Sequence, residues 1–180
     1  ISALDTKAIV VVDEAYAEFS SAPSAVTLID KFPNIVVVRT MSKAFAFAGA
    51  RVGYLVARSE VVNAMLLVRL PYHLSALTQA AAIAATELSS ELLANVQRII
   101  DSREKVIRQL RELGLSVLPS DSNFLFFSGF EGDSHNLWQS LVDQGVLIRD
   151  VGLAGYLRVT IGTEAENESF VSALKNALQK

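Results

Sequence analysis

Three short apolar runs mark the first third of the chain, at 7–12, 35–39 and 52–57. They are strand-length and do not alternate with polar residues. That pattern predicts strands of a parallel or mixed sheet covered on both faces. Pro23 and its polar neighbours separate the first two runs, with room for a short helix at 24–31. The period then changes to that of helices. Ser59 is placed to cap a helix beginning at Glu60, and Ser75 to open an alanine-rich one reaching about Leu88. Ser89-Ser90-Glu91 opens a longer amphipathic helix that runs to about Leu113 and is stopped by Gly114.

In that long helix the pattern assigns Arg98, Asp101, Arg103, Glu104, Lys105, Arg108, Arg111 and Glu112 to water. It assigns Leu92, Val96, Ile99, Val106, Leu110 and Leu113 to burial. The rest reads as a small α/β unit, with strands at 115–118, 123–128, 146–148 and 157–161 and helices at 134–144 and 164–178. The predicted organisation is therefore an α/β unit over 1–88, a connecting helix over 89–113, and a small α/β unit over 114–180.

Composition narrows the function classes. Of 180 residues, 51% are hydrophobic, enough for a sizeable core, and the formal net charge of −3 offers no polybasic face for nucleic acid. There is no cysteine, so disulfides and thiolate metal sites are excluded, and two histidines, His73 and His135, make a histidine-rich metal site an unfavoured expectation. No apolar run approaches the roughly 18 residues a spanning helix needs. The opening Ile1-Ser2-Ala3-Leu4 has neither an initiating Met nor the pattern of a signal peptide. The expectation is a soluble, cytoplasmic protein without membrane or nucleic-acid partners, not shown from its natural beginning.

Two stretches carry candidate chemistry. The first apolar run ends in Asp13-Glu14, followed by Tyr16. A strand ending in two acids occurs in magnesium-dependent nucleotide hydrolases, but no G-x-x-x-x-G-K-[ST] loop accompanies it here. The alternatives are a strand simply meeting water, or one that delivers a carboxylate beneath a heteroaromatic cofactor. The second stretch is TMSKAFAFAGARVG, 40–53. It sets Lys43 among small and aromatic residues, with Thr40 and Ser42 beside it and Arg51 eight positions on. Hydroxyls and a guanidinium suit a phosphate dianion. A lysine in an apolar pocket can form an imine with a carbonyl. With Asp13, these are the groups that pyridoxal phosphate requires.

DEAY, RTMSKAFAFAGARVGY, VRLPYHLS, PSDSNFLFF, LIRDVG and YLRVTIG occur in this order along nearly the whole chain. Together they resemble the fold-type-I pyridoxal-phosphate-dependent aminotransferases, most of all the branch that transaminates histidinol phosphate. The resemblance implies that residues 1–88 are the C-terminal part of a cofactor-binding large domain, with a mostly parallel sheet flanked by helices. It implies that 114–180 is the family's small C-terminal domain. A preceding segment would hold a glycine-rich phosphate loop, a ring-stacking aromatic residue and an asparagine. The family works as a homodimer, and its two substrates here would be histidinol phosphate and glutamate/2-oxoglutarate.

The resemblance also implies residue roles. Asp13 partners the pyridine nitrogen, Tyr16 donates to the ring oxygen, and Lys43 carries the cofactor and acts as the base. Thr40, Ser42 and Arg51 hold the phosphate. Arg158 and Arg149 bind substrate anions, and Asn123 lies at the pocket edge. Arg39 is expected in a structural ion pair, Glu14 in water or at a helix cap. Tyr72, His73 and Trp138 are expected to pack. An aromatic-amino-acid aminotransferase of the same family, or a non-catalytic binding module on the same fold, remains an alternative.

Overall fold

The computed structural model describes residues 6–179. The opening Ile1–Leu4 lies outside them. The chain divides into two compact units, Ile1–Val96 and Gln97–Lys180.

The first unit holds a three-stranded sheet in the order β1 (Val10–Asp13), β2 (Ile35–Thr40), β3 (Gly53–Val56). The sheet is mixed: β1 and β2 are parallel, with Val10 opposite Ile35, and β2 and β3 antiparallel, with Thr40 opposite Gly53. The first strand starts later than its apolar run, because the ladder cannot begin before the partner strand does. Lys7–Ile9 therefore lie outside it. At that entrance Val10 N–H donates to the Asn34 carbonyl at 2.9 Å, and the Asn34 amide donates to the carbonyls of Thr6 and Ala8.

Ile35 and Val37 are fully buried, and with Ile29 they form a cluster beneath a short 3-10 turn, Ala25–Leu28, capped by Ser24. The sheet is not covered on both faces among the described residues. Burial alternates along β1, and Val11 and Tyr54 are 60% and 45% exposed.

Two helices follow, α1 (Ser59–Val68) and α2 (Ala76–Glu87). Ser75 caps α2, accepting from Thr78 N–H at 3.1 Å. Ser59 does not cap α1: it is the first helical residue, and the N-cap is Arg58. Arg58 instead donates to the carbonyls of Ile29 and Asp30, tying α1 to the loop before β2.

The long helix α3 (Ser89–Glu112) ends as its sequence predicts. Gly114 has φ +82°, its N–H reaches Arg111 O, and Leu115 N–H reaches Leu110 O, both at 3.0 Å. That paired closure satisfies orphan carbonyls and needs the left-handed residue that glycine supplies. Arg103 is an exception to the assigned solvent face. It is 6% exposed, and its Nη1 donates to the Ser122 carbonyl at 2.9 Å.

The second unit builds a four-stranded antiparallel sheet in the order β4 (Ser116–Val117), β5 (Phe124–Ser128), β7 (Tyr156–Thr160), β6 (Arg149–Asp150). Burial alternates along β5 and β7. Leu125, Phe127, Leu157 and Val159 face a core completed by Val106 and Leu110 of α3, Leu137 and Leu141 of α4 (Ser134–Val142), and Phe170 and Leu174 of α5 (Glu164–Leu178). Each such side chain contributes about 1.5–3 kcal/mol on burial. A capping box starts α5, Thr163 and Glu166 exchanging hydrogen bonds. The third apolar run of this unit, 146–148, is not a strand. Val146 and Ile148 pack on the core while Leu147 is 79% exposed, and the next two residues make the ladder with β7.

Candidate active site

Strand direction gathers the predicted groups of the first unit. Parallel β1 and β2 finish at the same end of the sheet, and antiparallel β3 begins there. Asp13 closes β1, Thr40 closes β2, Lys43 lies three residues beyond, and Arg51 lies two residues before β3. Ligand groups collect at such carboxyl ends because the loops there are free to vary. Asp13 turns the chain by accepting Ala15 N–H at 3.0 Å.

The loop from 41 to 52 is held by its apolar residues. Met41 and Val52 are buried with Ala85 of α2, and Phe45, Phe47, Ala50, Ala82 and Leu92 pack around them. Met41 N–H donates to Val52 O, and Phe47 N–H to Met41 O, both at 3.0 Å. Thr40 Oγ1 accepts Ser42 N–H at 3.0 Å. Two residues adopt left-handed backbone without being glycine, Ala46 at φ 53° and Arg51 at φ 56°. Arg51 also donates from Nη1 to Ala48 O at 3.0 Å. These contacts fix the loop's path, so its polar groups are pre-set.

Lys43 is exposed, not enclosed in the apolar pocket expected for it. The loop's apolar side chains turn inward to the α2 cluster and leave it outside. Its Nζ stands over the Tyr16 ring, 5.3 Å from the centroid. That brings Lys43 and Tyr16 together across the ends of β1 and β2.

Glu14 and Arg39 belong to the scaffold. Arg39 Nη2 lies 2.7 Å and Nε 3.1 Å from Glu14 Oε2, and Ser24 Oγ donates to the same oxygen at 2.8 Å. Glu14 also accepts Ala25 N–H, at the start of the 3-10 turn. Burial alone would raise the Glu14 pKa, but the Ala25, Arg39 and Ser24 hydrogen bonds together lower it below the ordinary carboxylate value. The hydrogen bond to Glu14 correspondingly raises Arg39. An ion pair and a cap are combined in one acid.

In the second unit Arg149 stands opposite Arg158 across β6 and β7, so both side chains share a face. Both line one open pocket, with Trp138, Gly152 and Thr160. Arg158 lies over the Phe124 ring at 4.9 Å, beside the stacked pair Phe126–Tyr156. Its Nε is buried and has no hydrogen-bond partner among the described residues. Arg158 lines the pocket, and a guanidinium there is a ready anion ligand. Asn123 precedes β5, its carbonyl accepting Ile161 N–H at 2.9 Å.

Tyr72 does not pack as expected. It is 98% exposed with φ 56°, because the turn between α1 and α2 throws it outward. Trp138 packs on the core and donates Nε1–H to Ile148 O at 3.0 Å.

A lysine, a carboxylate, a tyrosine and a hydroxyl–guanidinium set at one sheet end suit a phosphorylated aldehyde cofactor with a basic ring nitrogen. The chain belongs to the aminotransferase class I and II family, whose profile matches residues 2–174. It is 57% identical over 166 residues to the histidinol-phosphate aminotransferase of Corynebacterium glutamicum strain R, covering 92% of this chain and 45% of that protein. The histidinol-phosphate aminotransferase of Clostridium acetobutylicum superposes with a TM-score of 0.87 at 26% identity, over 96% of this chain and 55% of that one. That of Sinorhizobium meliloti, solved in complex with pyridoxal 5'-phosphate, gives 0.82 at 30% identity, over 94% and 48%. The chain thus spans about half the length of the proteins it matches.

Proposed function

We propose that the protein carrying this chain is a pyridoxal-phosphate-dependent aminotransferase that exchanges the amino group between histidinol phosphate and 2-oxoglutarate, in histidine biosynthesis. The observation that carries the reading is the meeting of Asp13, Tyr16, Thr40, Ser42, Lys43 and Arg51 at one end of a sheet. The names of relatives above half identity support the substrate. Residues 1–88 then form part of the cofactor-binding large domain, 89–113 the connecting helix, and 114–180 the small domain. The enzyme is a cytoplasmic homodimer, and a further segment supplies the remaining cofactor contacts.

The cofactor, when bound, supplies an electron-withdrawing ring that stabilises negative charge at the substrate's Cα. Lys43 Nζ would hold it and, once displaced by the substrate amine, would be the free base that takes the Cα proton. Asp13 holds a proton on the ring nitrogen, and Tyr16 donates to the ring oxygen. Thr40, Ser42 and Arg51 bind the phosphate. Arg158 and Arg149 bind the anionic end of either substrate, a phosphate or a carboxylate, with Asn123 at the pocket edge.

The aromatic floor of Phe124, Phe126 and Tyr156 beside Arg158 favours one second reading, an aminotransferase for aromatic amino acids. The test is kcat/KM on the full-length protein for histidinol phosphate against phenylalanine. Preference for the phosphorylated substrate is expected; preference for phenylalanine would replace the substrate and keep the cofactor assignment.

A further inference from the structure

Arg149 sits on β6, a strand of two residues at the free edge of its sheet. So short an edge strand has few backbone bonds to fix its path. Two side-chain ties come from one helix, α4, and they fall on either side of Arg149. Just before it, Ile148 O accepts the Trp138 indole N–H at 3.0 Å. Just after it, Asp150 Oδ2 lies 3.2 Å from His135 Nδ1, while Asp150 Oδ1 accepts Gly152 N–H at 2.9 Å.

The two helix residues brace each other. The rings of His135 and Trp138 stack at 5.2 Å with 24° between planes. The start of α4 is itself fixed. Asp133 accepts the N–H groups of His135 and Asn136, and Ser134 Oγ accepts Gly155 N–H at 3.2 Å, just before β7. Arg158 needs no such clasp, because β7 is an interior strand paired with both β5 and β6.

We infer that His135 and Trp138 are positioning residues for Arg149: they clasp the main chain before and after it, so that its guanidinium meets a phosphate alongside that of Arg158. The inference rests on Arg149 as an anion-binding residue in the proposed reaction. A doubly charged phosphate engages both arginines, so it is the ligand most sensitive to the clasp.

The test is a double-mutant cycle in the full-length holoenzyme, with histidinol phosphate as substrate and inorganic phosphate as a competitive probe against glutamate. His135→Ala should raise KM for histidinol phosphate and weaken phosphate inhibition by about 5- to 20-fold, with kcat changed less than about twofold. His135→Asn should restore most of the loss, because the amide Nδ2 stands where the ring Nδ1 did. Trp138→Phe, which keeps an aromatic ring but removes the donor, should act in the same direction. Combined with Arg149→Ala, His135→Ala should add nothing. Multiplicative losses, or a silent His135→Ala beside an impaired Arg149→Ala, would overturn the clasp. A silent Arg149→Ala in both readouts would instead remove the anion-binding role on which the inference stands.

Discussion

Lys43 and Tyr16 face each other across the ends of β1 and β2, with the lysine Nζ 5.3 Å from the centre of the tyrosine ring. Twenty-seven positions apart in sequence, they meet because the two strands run parallel and finish together. Lys43 is therefore expected to carry the cofactor covalently. Borohydride reduction of the full-length holoenzyme followed by peptide mapping should leave the pyridoxyl label on Lys43. A label on another lysine would reassign the site.

Asp13→Asn should retain the cofactor and lose turnover. A neutral amide cannot hold a proton on the ring nitrogen, and losing that charge pair is expected to slow transamination by about 10²- to 10⁴-fold. Absorbance of bound cofactor and single-turnover rates measure the two effects separately. Near-normal turnover would place Asp13 outside the chemistry.

Arg158→Ala should weaken glutamate and histidinol phosphate together, by roughly 10- to 150-fold in kcat/KM, the loss expected for one charge-assisted contact. Its place opposite Arg149 in one pocket is the reason. Because no hydrogen bond within the described residues ends on its Nε, the variant should cost little stability. A fall in melting temperature without a change in kcat/KM would make the residue structural.

The Glu14–Arg39 pair predicts a stability signature at low pH. Glu14 titrates below its ordinary value of 4.5 in the folded protein. Its contribution is then complete above that value and lost as pH falls through the lower, folded one. Full-length Glu14→Gln should be less stable at neutral pH, and the gap to the parent should narrow below about pH 4.5. An unchanged gap across that range would mean that the carboxylate's charge is irrelevant to the fold.

Gly53→Ala should destabilise the sheet by about 1–3 kcal/mol. A Cβ there would come within 2.8 Å of the Arg39 carbonyl, a backbone atom that cannot swing aside. Chemical denaturation measures the loss; a neutral effect would mean that β2 and β3 separate without cost.

Much of this was legible in sequence where a local signal existed. Ser75 and Gly114 mark the start of α2 and the end of α3, since capping is decided within a few residues. Asp13, Thr40, Lys43 and Arg51 could be read together because apolar runs located the strands that carry them. What failed depended on partners far along the chain. Arg103 looks solvated by period but finds the Ser122 carbonyl 19 residues on. Residues 146–148 read as the third strand of the small unit because they are apolar, but they are apolar for packing, and pairing falls to the polar Arg149 and Asp150. The His135–Asp150 contact spans 15 residues and two elements, and no spacing rule points to it.

If Arg51 binds the cofactor phosphate as proposed, its left-handed backbone sets folding and function against each other at one position. An arginine at φ 56° gives up about 1–2 kcal/mol relative to a residue without a Cβ. Glycine would recover that and return part of it as unfolded-state entropy, so Arg51→Gly should leave thermal stability nearly unchanged or slightly raised. A library screened only for folded protein should therefore accept glycine at 51. The same library screened for growth that depends on the enzyme should keep arginine. A divergence between the two screens would show that the guanidinium is retained for a ligand, and agreement between them that it is not.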